Sequence, residues 1–435
     1  MGKGQELYIR AKKVIPGGTQ LLSKRPEMFL PELWPAYYDS EKGCIVTDLD
    51  GNEYIDASFM GIGACILGYG DPDVDSAVTK AVNKGNMSTL NAPEEVYLAE
   101  QLVKMNPWSE MVRYARTGGE AMAQAVRIAR AYSRKDIVLF CGYHGWHDWY
   151  LCANLADNSA LDGHLLKGLS PAGVPRPLKG LSKPFSYNDC EGFASLIDQF
   201  GDNIGCIVLE PIRNIEPTRE FLELIISESR KKKIPLIIDE ITSGFRLNFG
   251  GAHLLYGIEP DLAVYGKSIS NGYPMAAIVG KKHIMQTAQE SFISSTYWTD
   301  RIGPTASLAT LEKMNTIKAQ EFIVNQGMKI QAFWKVTAEE TEVPIHVGSI
   351  YPLSHFDFIK DPLVLKTLFT QIMLERGFLA TTSFYVCTEH KDTILEKYFK
   401  AVKEAFSTIG SAINRGDYVA MLKGPVCHAG FQRLN

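Results

Sequence analysis

Short apolar runs alternate with amphipathic stretches through the middle of this chain. Residues 137–141, 204–209, 234–238 and 262–265 are dense in Ile, Val and Leu without polar interruption, the pattern of strands buried on both faces, and Met111 to Tyr114 reads as a further strand-like run. Between them, residues 120–132, 191–200 and 220–231 place apolar side chains at helical spacing; in the first, Ala121, Ala125, Ile128, Ala129 and Tyr132 share one face. This order predicts an α/β fold with a mainly parallel sheet sandwiched by helices. The pattern changes at both ends. Residues 5–14 read as an amphipathic helix, Pro16-Gly17-Gly18 as a turn and Asp48-Leu-Asp-Gly-Asn52 as the tip of a hairpin. After about residue 313 the chain reads as long helices with a few short strands. Residues 1–60 and 313–435 are therefore expected to build one smaller α+β domain, and residues 61–312 the large one. Residues 154–184 are rich in Gly, Pro, Leu and Ser and have no period, so they are expected to form a lid over a site.

Composition narrows the function classes. The 435 residues are 46% hydrophobic and 22% charged with net charge −4, which argues against a nucleic-acid or anionic-membrane surface. The one basic run, Arg230 to Lys233, falls at a helix end where cations suit the dipole. No stretch has the apolar length of a signal core or a membrane span, and a cytoplasmic location is expected. Eight scattered cysteines without a CxxC pair suggest buried free thiols. His144 and His147 lack a third ligand at metal spacing, so no metal is expected.

The candidate chemistry lies at the ends of the apolar runs. Lys267 follows the run 262–265 and a glycine, and Asp239 ends the run 234–238. A lysine and an acid at neighbouring strand ends are the two groups that pyridoxal phosphate chemistry needs. The amine binds the cofactor aldehyde as a Schiff base, and the carboxylate keeps the pyridine nitrogen protonated. Each alone also reads as a loop lysine or a helix cap. Arg116-Thr-Gly-Gly-Glu-Ala121 joins a strand to a helix start, where the N–H groups of Gly118 and Gly119 and the Thr117 hydroxyl suit a phosphate. Tyr143 follows the next strand and is placed to stack on a flat ring. Leu209-Glu-Pro-Ile-Arg-Asn214 ends a third; Asn214 would bond the pyridoxal 3′-oxygen and Glu210 would support the site. Gly61-Ile-Gly63 lacks the third glycine of a dinucleotide fingerprint, and no Gly-x-Ser-x-Gly elbow is present.

Together these stretches resemble the class III aminotransferases, within fold type I of the pyridoxal phosphate enzymes, and most of all glutamate-1-semialdehyde aminomutase. The likeness runs from about Leu7 to Gly280 and weakly beyond. It rests on Ala11 to Gly18, Asp48 to Asp56, Leu67 to Pro72, Thr117 to Ala121, Tyr143-His-Gly145, Glu210-Pro211, Asp239 to Arg246 and Gly266-Lys267. The resemblance implies a fold type I transferase with pyridoxal phosphate held covalently on Lys267. It further implies Asp239 on the pyridinium, Tyr143 and Ile241 on opposite ring faces, and Thr117, Gly118 and Gly119 on the phosphate. Thr296 matches a threonine that family members extend across a dimer interface to the partner's phosphate, so a C2 homodimer is expected. Two departures concern substrate. The aminomutase Ser and Arg after Pro-Gly-Gly are matched by Leu21 and Lys24, and its C-terminal glutamate has no counterpart in Thr382 to Val386.

The function expected from the sequence is transfer of an amino group from an amino acid, glutamate by default, to an aldehyde or ketone such as a keto-sugar or sugar acid. Lys24, Arg25 and Arg213 are the candidate contacts for an acidic acceptor. The alternatives are an aminomutase, moving an amino group within one molecule, and a pyridoxal-binding protein without turnover.

Overall fold

The computed structural model describes residues 2–164, 166–348 and 350–431, which form two compact units: residues 72–320, and residues up to 71 together with 321 onward. In the unit 72–320, seven strands make one sheet: β1 (Met111–Ala115), β2 (Ile137–Cys141), β3 (Ser182–Pro184), β4 (Ile204–Leu209), β5 (Leu236–Asp239), β6 (Leu262–Tyr265) and β7 (Ala276–Gly280), in the order β1-β7-β6-β5-β4-β2-β3. Pairings from β3 through β6 are parallel. The strand β7 runs antiparallel to both β1 and β6. Two of the seven, β3 and β7, escape the apolar-run pattern: β3 is Ser-Lys-Pro, and β7 opens on two alanines and closes on glycine.

The continuous apolar runs are explained by two cores, one on each face of the sheet. Val138, Phe140, Cys206, Val208 and Ile237 pack with Ala121, Ala125 and Ile128 of the Gly118–Ser133 helix. Their strand neighbours Leu139, Cys141, Ile207, Leu209, Leu236 and Ile238 pack with Phe193, Phe221 and Ile225 of the Cys190–Phe200 and Arg219–Lys232 helices. Successive side chains on a strand point to opposite faces, so both sets must be apolar. Each fully buried aliphatic side chain contributes about 1.5–3 kcal/mol.

The same alternation separates Asp239 from Glu240. Glu240 is fully buried and accepts from the His253 backbone N–H and from its Nδ1, both at 2.7 Å. Trp108 Nε1 donates to His253 Nε2 at 3.1 Å, so the imidazole is neutral and carries its proton on Nδ1. Glu240 thereby ties down the segment after β5, while Asp239 turns to the other face.

Segment 154–184 is pinned rather than featureless. Asn154 is fully buried; its amide donates to Leu169 O at 2.6 Å and its Oδ1 accepts from Leu161 N at 3.0 Å.

In the other unit the two chain ends share a sheet: Phe378–Ala380 pairs in parallel with Glu53–Ala57. Its hairpin tip is set by Asp48, whose Oδ1 accepts from Asp50 N and Asn52 N at 2.9 Å each, with Gly51 at φ +85°. Long helices Pro362–Leu374 and Asp392–Arg415 follow. The Gly61-Ile-Gly63 stretch is a left-handed turn, with Met60 at φ +44° and Ile62 at φ +58°. None of the eight cysteines forms a disulfide. Among the described residues no helix is long and apolar enough to cross a membrane.

Candidate active site

The strands β5 and β6 lie side by side in parallel with Asp239 opposite Val264, so Asp239 and Lys267 emerge at the same edge of the sheet. Asp239 is 1% exposed. Its Oδ2 lies 2.7 Å from His144 Nδ1 and its Oδ1 accepts from Ile241 N at 2.9 Å. Burial pushes the Asp239 carboxyl up, and His144 only partly offsets this. A positive group placed against it would favour the ionised form. Lys267 Nζ donates to Thr242 Oγ1 at 2.9 Å. Burial, with Arg213 and Arg246 adding repulsion, lowers the Lys267 amine to about 8. Its backbone is left-handed, at φ +44°, a conformation costing about 1–3 kcal/mol that persists only where surroundings impose it.

The Gly118–Ser133 helix begins at this edge. Thr117 caps it in a reciprocal box with Glu120: Glu120 N donates to Thr117 Oγ1 at 3.4 Å, and Thr117 N donates to Glu120 Oε2 at 2.9 Å. The cap uses an acceptor lone pair of the hydroxyl and leaves its proton available to an anion. Gly118 and Gly119 are the first two helical residues, whose N–H groups have no carbonyl in the preceding turn. A Cβ on Gly118 would come 2.8 Å from Ile241 Cδ1, and one on Gly119 would come 2.7 Å from His147 Cε1. Glycine is what lets the helix start approach Ile241 this closely.

Tyr143 follows β2 and is partly buried. Gly142 before it, at φ +120°, leaves the Glu210 carboxylate room: a Cβ there would sit 2.7 Å from Glu210 Oε2. Glu210 accepts from Tyr143 N at 2.9 Å and pairs with Arg213 Nη1 at 2.7 Å. Burial raises the Glu210 carboxyl, but Arg213, His144 and the Tyr143 N–H outweigh it and hold it below the usual carboxylate range. The Arg213 guanidinium also lies 5.8 Å from the Tyr143 ring centre. Removing one partner of so enclosed a pair costs about 3–5 kcal/mol.

The remaining sequence candidates lie on loops and short helical turns. Asn214 is exposed in the bend after β4 and borders a cavity with Glu210 and Arg213. Thr296 is exposed in the turn Thr296–Thr299. Lys24 and Arg25 belong to the other unit, where Leu22–Lys24 is a short helical turn and the Arg25 guanidinium packs over Gly17.

Three participants were not singled out for this site from sequence. His144, weighed there only as a metal ligand, is the partner of Asp239; its place beside Tyr143 was the available signal. Thr242 meets Lys267, and nothing in an isolated Ile-Thr-Ser marks it. Arg116 forms a buried ion pair with Asp300 and donates to Trp298 O at 2.9 Å, tying the end of β1 to the Thr296 turn; a pairing 184 residues apart leaves no local trace.

These residues fit pyridoxal phosphate. A suppressed lysine, a buried acid backed by a histidine and a glycine cradle too tight for any Cβ match its aldehyde, ring nitrogen and phosphate in turn.

Comparison with known proteins agrees. The model of the class III aminotransferase family matches residues 31–361. The chain is 32% identical over 423 residues to a 3-aminobutyryl-CoA aminotransferase of Cloacimonas acidaminovorans, covering 94% of this chain and 98% of that one. It is 31% identical over 432 residues to a glutamate-1-semialdehyde 2,1-aminomutase of a Sulfurihydrogenibium species, covering 94% and 99%. Among solved structures it is similar to a transaminase with pyridoxal phosphate bound, at TM-score 0.83 and 25% identity over 97% of this chain and 99% of that one. The FumI protein of Sphingopyxis sp. MTA144 shares the fold, at TM-score 0.86 and 21% identity over 95% and 98%.

Proposed function

From the premise that the chain belongs to the class III aminotransferases and uses pyridoxal phosphate, we propose that it moves an amino group from an amino acid, by default glutamate, to a carbonyl acceptor of the keto-sugar or sugar-acid type. The observation that carries the reading is the pairing of a Lys267 amine lowered to about 8 with a buried Asp239–His144 couple on the adjacent strand. Bound pyridoxal phosphate supplies an aldehyde that exchanges amines and a ring that holds the electron pair released when a proton leaves carbon.

The residues of the chain do the rest. Lys267, far more often free of its proton near neutrality than an ordinary lysine, holds the cofactor through its Nζ and then carries the proton between carbons. Asp239 holds a positive charge at the ring nitrogen, and His144 orients it. Tyr143 and Ile241 confine the ring from either side. The N–H groups of Gly118 and Gly119, with the Thr117 hydroxyl, hold the phosphate. Asn214 reaches the 3′-oxygen, and Arg213 is the cationic group beside Tyr143 for an acidic acceptor.

The active unit in this reading is a homodimer with Thr296 extended to the partner's phosphate. Its support is an exposed apolar surface around that turn: Phe292 is 87% and Tyr297 70% exposed, with Val96 and Tyr97 also uncovered. Glu95 Oε1, Arg113 Nε and Trp298 Nε1 lie buried beneath it without partners. Replacing Tyr297 with aspartate is expected to shift the protein toward monomer in sedimentation at micromolar concentration and to weaken cofactor retention. An unchanged dimer would remove this face from the interface.

Because only the free amine captures the cofactor, the rate of cofactor uptake by the apoprotein should rise with pH through about 8 and level off above it. Stopped-flow absorbance measures this directly, and a rate independent of pH from 6 to 9 would contradict it.

The deciding experiment is the first half-reaction. The loaded enzyme is mixed with L-glutamate while cofactor absorbance and 2-oxoglutarate are followed. Stoichiometric 2-oxoglutarate supports transfer. None, with reaction on a diamino substrate, supports the aminomutase reading, which the relative of that name keeps in view. The relative named for 3-aminobutyryl-CoA points to an acyl-CoA as the competing acceptor class.

A further inference from the structure

The loops that follow β5 and β6 are clamped to each other at two points. Ser268 Oγ donates to Gly244 O at 2.8 Å, and Lys267 Nζ donates to Thr242 Oγ1 at 2.9 Å. A third bond fixes Thr242 itself: the fully buried Arg246 donates from its Nε to Thr242 O at 2.8 Å. The turn closes this tightly because residue 244 is glycine; a Cβ there would sit 2.6 Å from Glu240 O. Thr242 is thus a buried residue held through its backbone, with its hydroxyl turned to the lysine. Such an acceptor has a clear use. A lysine side chain is long and loses much rotamer freedom when it is fixed. Among the described residues Thr242 is the one hydrogen-bond partner of Lys267 Nζ. The charges that face the amine act on its proton: Arg213 and Arg246 disfavour it, Glu210 and Asp239 favour it, and burial outweighs them. None of the four bonds to Nζ, so they set its charge and leave its direction to Thr242. The uncharged amine has two N–H groups and one lone pair. An N–H given to Thr242 leaves the lone pair free on a nitrogen that is held still. A neutral hydroxyl does this at little electrostatic cost, whereas a carboxylate in its place would hold the proton on the amine.

We propose that Thr242 is a positioning residue for cofactor capture: its hydroxyl accepts an N–H of Lys267 and holds the nitrogen in place while it bonds to the aldehyde carbon and water leaves. Thr242 acts through Lys267 and makes no bond of its own in that step. The role rests on Lys267 as the cofactor anchor and is independent of which amino donor and acceptor the enzyme uses.

The test is uptake of pyridoxal phosphate by the full-length apoprotein, followed by stopped-flow absorbance across pH in wild type, Thr242→Val and Thr242→Ser. Valine keeps the shape of the side chain and removes the acceptor; serine keeps the hydroxyl. The wild-type rate should rise with a midpoint at about 8. In Thr242→Val the plateau at high pH should fall by about fivefold, the equivalent of one neutral hydrogen bond. Its midpoint should also move down by about 0.5–1 pH unit. A hydroxyl bonds the charged amine more strongly than the neutral one, so losing it disfavours the charged form. Thr242→Ser should restore both plateau and midpoint. A residue that served only the fold would lower the whole profile and leave its midpoint where it was. An unchanged valine profile, a fall without a midpoint shift, or an equal loss in serine would each overturn the proposal. Borohydride trapping with mass spectrometry keeps the two readings apart. No cofactor on the wild-type Lys267 peptide sinks the anchor and this role with it. Cofactor on Lys267 with an unchanged valine profile sinks Thr242 alone.

Discussion

Replacing Lys267 with alanine is expected to reduce turnover by at least about 10⁴-fold, because it removes the covalent hold on the cofactor and the proton carrier together. Borohydride treatment followed by mass spectrometry should leave cofactor mass on the wild-type peptide containing Lys267 and none on the variant. The fold should survive. An amine lowered from 10.5 to about 8 is one that the folded apoprotein prefers uncharged. The unfolded chain therefore binds more protons between pH 8 and 10.5, so this group's contribution improves as pH rises across that window and is at its worst below 8. Alanine removes that cost, and the apo variant should melt at or above the wild-type temperature at pH 7, with the difference shrinking toward pH 10. A variant that retained turnover, or kept cofactor on that peptide, would rule out Lys267 as the anchor.

Changing Asp239 to asparagine should slow the glutamate half-reaction by about 10²–10⁴-fold while the cofactor is still bound. The substitution is unusually conservative in this setting. Asn Oδ1 can keep the N–H of Ile241, bonded at 2.9 Å in the native protein, and Asn Nδ2 can donate to His144 Nδ1 once the imidazole proton moves to Nε2. Heavy-atom geometry is preserved and the charge is lost, while the shifted proton falls on His144 Nε2, which is buried without a hydrogen-bond partner. Burial raises the Asp239 carboxyl in the apoprotein, so its contribution to stability is present while it is protonated and declines as pH climbs through its folded pKa. Asparagine mimics the protonated form. Set against the unpartnered N–H on His144 Nε2, which costs about 1–3 kcal/mol, this leaves the apo variant near wild-type stability at neutral pH even as catalysis collapses. Unchanged half-reaction rates would sink the assigned role, and a sharp fall in apo stability would mean that Asp239 serves the fold instead.

Some of this was legible in the linear chain. Strands buried on both faces must be apolar at every position, and that is why β2, β4, β5 and β6 stand out as uninterrupted runs. The α/β class and the mainly parallel sheet follow from their alternation with helices. Lys267 and Asp239 were visible for the same reason: a polar residue at the end of such a run must sit at the sheet edge. Less was visible where local composition is weak. The strand β7 has no bulky side chains at its start, yet it separates β1 from β6 and runs against both. Residues 154–184 have no period to read, and the bonds that Asn154 makes with Leu169 and Leu161 leave no trace in it.

By itself, then, the sequence determined the α/β class, the mainly parallel character of the sheet and the pair of strand-end residues on which the chemistry is proposed to rest, because these depend on local pattern and on the period of the backbone. The tertiary structure alone decided the partners. That His144 faces Asp239, that Thr242 meets Lys267, that Glu210 takes Arg213 and the Tyr143 N–H, and that Gly142 N meets His164 Nδ1 are all matters of which loops converge. Hydrogen bonds and ion pairs act over about 3 Å in space whatever the separation along the chain, so no period or spacing in one sequence encodes them.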